Sequence, residues 1–152
     1  MADESQLASS VLMIRPTRFE SNPLTASSNR FQGKSGKDAE EQNSSAQQEF
    51  DALATALREA GITVLLVDDT AEPHTPDSVF PNNWVSFHAD GRVVLYPMEA
   101  KNRRTERRPD ILQMLGSTAG FAIKEVVDLT GHEDAGHFLE GTGSLVLDRS
   151  NR

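Results

Sequence analysis

The 152-residue chain contains no cysteine. Within these residues that excludes disulfides, thiolate-bound metal and a cysteine nucleophile. Aromatic residues are scarce at 6%, with one tryptophan and one tyrosine. No apolar run approaches the length of a membrane span. Positive charge is short: 15 Lys and Arg stand against 23 Asp and Glu, a formal charge of −8. That balance argues against nucleic acid or an anionic membrane as the main partner. The opening MADESQLASS is acidic and polar, without the basic start and apolar stretch of a signal or transit peptide. A cytoplasmic protein is the expectation. Residues 1–9 read as disordered, and residues 10–152 as one domain able to bury a core.

What is present centres on residues 76–96, PDSVFPNNWVSFHADGRVVLY. Residues 84–88 and 92–96 read as the arms of a β-hairpin, because Asp90-Gly91 between two β-rich runs is a strong turn signal. Just before the first arm stand Asp77, Asn82 and Asn83. Several hydrogen-bonding side chains held at the mouth of a strand suit a small polar ligand. The plainer alternative is that Asn82-Asn83 caps a turn.

Around this hairpin, residues 10–14 (SVLMI) form a short apolar strand ending at Arg15-Pro16. A long loop follows through Gly36, with turn chemistry at Asn22-Pro23, Ser27-Ser28-Asn29 and Gly33–Gly36. Ala46, Phe50, Leu53, Ala54 and Leu57 recur at helical spacing, so residues 38–60 read as a helix stopped by Gly61. The run ITVLLV at 62–67 suggests a strand buried on both faces. Residues 97–108 (PMEAKNRRTERR) read as a basic connection, mostly solvated, and 109–116 as a short helix led by proline. Strands are expected at 121–129, 138–140 and 144–147, with a loop at 130–137 and a turn at 141–143. Strands alternating with helices give an α/β class, and the order hints at a repeated ββα-type unit. A repeat fold stopped at Arg152 leaves an open sheet edge, so the sequence looks unfinished.

The segments RPTRFESNPLTASSNRFQ, PDSVFPNNWVSFHADGRVVLYPM, NRRTERR and FLEGTGSLVLDR together resemble the amidinotransferase/arginine deiminase superfamily, the penteins. The likeness is nearest to citrulline-utilisation hydrolases and arginine-deiminase-related proteins, with dimethylarginine dimethylaminohydrolases further off. The resemblance implies a partial pentein-type α/β propeller built from ββαβ modules, about half of the five-bladed fold. It also implies a hydrolase acting on the ureido or guanidino group of citrulline- or arginine-like amino acids. In that family a cysteine thiolate attacks the planar carbon while a histidine protonates the departing amine.

Carried over by position, Glu140 in LEGTGS resembles the acidic residue that grips the substrate and orients the histidine. Otherwise it is an exposed glutamate at a strand end. Asp77 resembles the anchor of the substrate α-amino group, and otherwise a turn-forming aspartate. Arg103 or Arg104 resembles the partner of the α-carboxylate. Asn82 and Asn83 stand where relatives that hydrolyse guanidines carry acids. An amide offers donors as well as an acceptor, which suits a neutral ureido group over a cation.

His88, His132 and His137 stand outside the family's histidine motif and there is no cysteine, so the chain alone is expected to be inactive. Its partners would be a missing C-terminal half or a homo-oligomer. The alternative function is a non-catalytic amino-acid-binding or interaction module. No cofactor and no metal are expected. The histidines of HEDAGH (132–137) are five apart rather than the four that places two ligands on one helical face, and Gly136 favours a loop. A phosphate cradle at GTGS and a nucleic-acid patch at NRRTERR are both disfavoured.

Overall fold

The computed structural model describes residues 6–26, 36, 38–117 and 121–149. Part of the expected disordered N-terminus, and most of the loop chemistry at Ser27-Ser28-Asn29 and Gly33–Gly36, lie outside the described residues. Among the described residues two compact units emerge, one within residues 8–81 and one within residues 82–149 that also takes in Gln6 and Leu7.

In the first unit, β1 (Ser10–Arg15) pairs in parallel with β2 (Thr63–Asp68), Ser10 opposite Thr63 through Arg15 opposite Asp68. A parallel pair needs a crossover, and α1 (Ala39–Glu59) supplies it. Asp38 is the N-cap, its carboxylate accepting from the Glu41 N–H at 2.9 Å. Phe50 and Ala54 are the buried residues of the helix, and Ile14 of β1 joins them in the core. A bidentate pair, Arg15 to Asp51 at 2.8 and 2.9 Å, ties helix to strand. β2 departs from expectation: its four central residues are only half-buried and its ends are exposed. A two-stranded sheet leaves β2 as an edge, so its apolar run is not sealed on both faces.

The second unit holds the hairpin. β3 (Val85–Phe87) and β4 (Arg92–Leu95) are antiparallel, with Val85 opposite Leu95 and Phe87 opposite Val93. Gly91 makes the turn at φ +90°, and a Cβ there would lie 2.7 Å from the Ala122 carbonyl oxygen. After β4, α2 (Pro109–Ser117) crosses over and β5 (Glu125–Asp128) returns parallel to β4, a ββαβ unit. Trp84, Val85, Val93, Tyr96, Met98, Ile111 and Leu115 form its core.

Four expectations change here. The strand expected over 121–129 is paired only at β5, because β4 is four residues long and offers no further ladder before Pro97. The strands expected at 138–140 and 144–147 do not form. Instead Gly141–Ser144 is one turn of helix, α3, entered through Gly141 at φ +38°. The loop expected at 130–137 contains a 3₁₀ turn, Thr130–Ala135. The basic connection contains another, Lys101–Glu106, with Arg103 and Glu106 buried rather than solvated. Among the described residues no helix is long and apolar enough to cross a membrane.

One face of the hairpin carries a buried polar row. Ser86 Oγ lies 3.0 Å from His88 Nε2 and 2.8 Å from the Tyr96 hydroxyl. Burial lowers the His88 pKa, the Arg149 charge lowers it further, Asp90 opposes and Arg92 adds. The sign follows directly. Above the ordinary histidine range, near 6.5, neither folded nor unfolded His88 binds a proton. Below it the unfolded chain binds the proton first, so stability falls as pH drops towards the depressed folded value. Urea midpoints should therefore fall between pH 7.5 and 5.5, before the carboxylates titrate, and fall less in His88→Gln. Equal losses in both proteins would remove His88 as the cause.

Candidate functional site

The site is built in the second unit from three stretches: the residues leading into β3, the 3₁₀ turn after β4, and the Glu140–Ser144 corner. Pro97 ends β4, and the following 3₁₀ turn stacks residues three apart on one side. That puts Arg103 over Glu106. The Glu106 carboxylate accepts from Arg103 Nε at 3.1 Å and from Nη2 at 3.0 Å. The Glu106 side chain is 0% exposed and that of Arg103 6%.

From this fixed plane Arg103 reaches two residues named from the sequence. Its Nη2 donates to Asn83 Oδ1 at 3.3 Å, and its Nη1 to Glu140 Oε2 at 3.4 Å. The other Glu140 oxygen accepts from the Glu99 N–H at 3.3 Å. Asn83 Nδ2 donates to the Glu140 carbonyl at 3.5 Å. Glu140 is thus no loose strand-end residue: its side chain is 25% exposed and oriented from two sides. Two glycines permit this closeness. A Cβ on Gly141 would overlap the Asn82 carbonyl oxygen, and one on Gly143 would overlap Asn83 Nδ2.

The remaining sequence candidates are distributed as follows. Asn82 is exposed and donates from Nδ2 to Thr142 Oγ1 at 3.1 Å. Arg104 turns away from Asn83 and Glu140: its Nε donates to the Met98 carbonyl at 3.0 Å and pairs with Glu133 at 3.1 Å. The resemblance gives Arg103 or Arg104 a substrate carboxylate, yet both guanidinium groups are turned onto protein acceptors. Asp77 belongs to the first unit, where Asn22, itself buried, donates to its carboxylate at 2.6 Å. Glu106 was missed. Its signal was the spacing of Arg103 and Glu106 within NRRTERR, where opposite charges three apart meet on a helical turn.

The HEDAGH run serves a different purpose. Glu133 accepts from the Met98 N–H at 2.7 Å and forms a fork with Arg107. Burial raises its pKa, but the Arg107 and Met98 hydrogen bonds and the charges of Arg107 and Arg104 outweigh that and hold the carboxyl below its ordinary range. The group pins the Thr130–Ala135 turn to the segment after β4. His132 and His137 lie with ring centres 6.3 Å apart.

Chemically, the corner presents an oriented carboxylate and an oriented carboxamide side by side, backed by an arginine whose charge a buried glutamate balances. A carboxylate accepts N–H bonds, and an amide both donates and accepts. Such a pair matches one edge of a planar nitrogen-rich group.

Comparisons with known proteins agree with the superfamily, and the family model that matches is of the dimethylarginine branch, which the sequence reading placed further off. The family model described as N,N dimethylarginine dimethylhydrolase, eukaryotic, matches residues 15–152. Among curated proteins compared with the chain, none matches. A solved structure, the apo form of ArgZ, an arginine dihydrolase from the ornithine-ammonia cycle in cyanobacteria, superposes with a TM-score of 0.61 at 22% identity. That superposition covers 94% of this chain and 19% of the other, so the chain spans a small part of that protein's length and the likeness bears on fold alone. The residues matched by the family model take in the hairpin, the arginine turn and the Glu140 corner alike, and the chain belongs to the N,N-dimethylarginine dimethylhydrolase family of the pentein superfamily.

Proposed function

We propose that this chain supplies the part of a pentein hydrolase that binds the planar head of a ureido or guanidino amino acid. The supporting observation is the joint hold of Arg103 on Asn83 and Glu140, which sets a carboxylate beside an amide. In this reading Glu140 accepts the substrate N–H groups, Asn83 meets the ligand atom beside them, and Asn82 borders the site. Arg103 organises the site from within rather than receiving the α-carboxylate, because its donors point inward.

The attacking thiolate lies outside these 152 residues, which contain no cysteine. On this reading the chain is the N-terminal portion of an α/β propeller whose cysteine and histidine a further, cysteine-bearing portion supplies. The absent cysteine equally supports a second reading, an amino-acid-binding module without turnover. The two differ in outcome. Restoring a cysteine-bearing portion gives citrulline or arginine hydrolysis on the first reading and binding alone on the second.

Calorimetric titration with L-citrulline, L-arginine and L-ornithine tests the binding. L-Citrulline should bind and L-ornithine, which lacks the planar carbon, should not. Asn83→Asp replaces the donor end of the amide with an acceptor, and the ratio of arginine to citrulline affinity should rise about tenfold, roughly one hydrogen bond. An unchanged ratio would remove the amide from the account of specificity.

A further inference from the structure

We propose that Glu106, whose side chain is fully buried, determines which head group the site prefers by locking the Asn83 carboxamide in one of its two orientations through Arg103. This rests on the binding role proposed for Asn83 and Glu140.

The two ends of an asparagine amide are nearly the same shape, so their surroundings decide which end points where. Arginine carries donors only, and the amide atom facing it must therefore be the oxygen. Arg103 Nη2 lies 3.3 Å from Asn83 Oδ1. The nitrogen is consequently turned to the Glu140 carbonyl and against Gly143.

What keeps Arg103 in that plane is Glu106. Its two bonds to Nε and Nη2 are side by side, the geometry in which a carboxylate fixes both the position and the tilt of a guanidinium. Glu106 also balances the Arg103 charge. Glu140 by contrast is held by Arg103 through a single, longer bond from Nη1 at 3.4 Å.

The consequence is a polarity along the site: an acceptor at Glu140 and an N–H donor at Asn83. A ureido group offers N–H and C=O in that pattern. A guanidinium offers N–H at every position and would set donor against donor at Asn83. The lock thus favours a neutral ureido amino acid. Glu106→Gln removes one acceptor and the balancing charge, which frees Arg103 to tilt and the amide to turn.

The test is titration of the chain and its Glu106→Gln variant with L-citrulline and L-arginine, alongside NMR of the Asn83 side-chain NH₂ without ligand. The wild type should prefer citrulline. In the variant that preference should fall about tenfold, and the Asn83 NH₂ resonances should shift or broaden. A variant that binds both ligands with the wild-type ratio and wild-type Asn83 resonances overturns the inference and leaves the binding role standing. A wild type that binds neither ligand overturns the binding role and this inference together. If Glu106→Gln does not fold, Arg103→Lys provides the same reading. It retains the charge but cannot form the two-pronged bond, and it should lower the ratio equally; an unchanged ratio there also overturns the inference.

Discussion

Arg103→Ala should destabilise the protein by about 3–5 kcal/mol, the cost of breaking a buried ion pair from one side. Glu106 has no exposed side-chain surface, and its carboxylate accepts from two Arg103 nitrogens. Without Arg103 the carboxylate must stay ionised in a poor solvent or take up a proton, and both cost free energy. Asn83 and Glu140 lose a donor each in the same step. The double variant Arg103→Met, Glu106→Leu should recover a large part of the loss, because a buried pair replaced by apolar groups of similar volume is often neutral. Urea unfolding of the two single variants and the double variant measures this. A single-variant loss below about 1 kcal/mol would match an exposed pair instead, and would contradict the buried arrangement.

Gly141→Ala should cost about 2–4 kcal/mol, from left-handed backbone strain together with overpacking. Its φ is +38°, and an added methyl would overlap the Asn82 carbonyl oxygen, with Tyr96 Cδ2 at 3.1 Å and the Asn83 carbonyl at 3.2 Å. The nearest of these is backbone, which cannot swing aside like the end of a long side chain. Gly61→Ala is the control. Gly61 also has positive φ, +83°, but nothing lies within 4 Å of its would-be Cβ. It should show only the conformational penalty, about 1 kcal/mol. Gly143→Ala should act differently again, because the atom it meets is the Asn83 side-chain nitrogen. Displacing that side chain breaks its bonds to Arg103 and the Glu140 carbonyl without moving backbone, so ligand binding should suffer more than stability. Thermal melts of the three alanine variants separate these cases, and equal losses at Gly141 and Gly61 would remove the steric part of the account.

Local signals in the sequence were enough for the elements whose cause is local. The Asp90-Gly91 turn, the apolar spacing of α1 and the proline that starts α2 all lead to elements close to the expected bounds. The misreadings share a different cause. The LEGTGSLVL run has strand chemistry, yet Gly141 in the left-handed region turns the chain, and the Gly143 and Ser144 N–H groups close on the Glu140 carbonyl. The apolar run at β2 looked buried because periodicity cannot reveal how many strands a sheet has. Burial of Arg103 was equally hidden. A basic run reads as solvated until an acid three residues on is found to share its turn. At the site, residue types drew attention to Asn83 and the family resemblance to Glu140, but the arginine that joins them could be assigned only from geometry. Arg103 reaches both, and its neighbour Arg104 holds the Glu133 turn.

The claim on which the rest depends is that Asn83 and Glu140 face one ligand head group. Its most direct measurement is a titration of the isotope-labelled chain with L-citrulline, following the side-chain signals of Asn83, Arg103 and Glu140 and using L-ornithine as the control. Saturable shifts at all three with citrulline, absent with ornithine, are the predicted result. Shifts of equal size with both amino acids, or signals that move at one residue and not at the others, would contradict it.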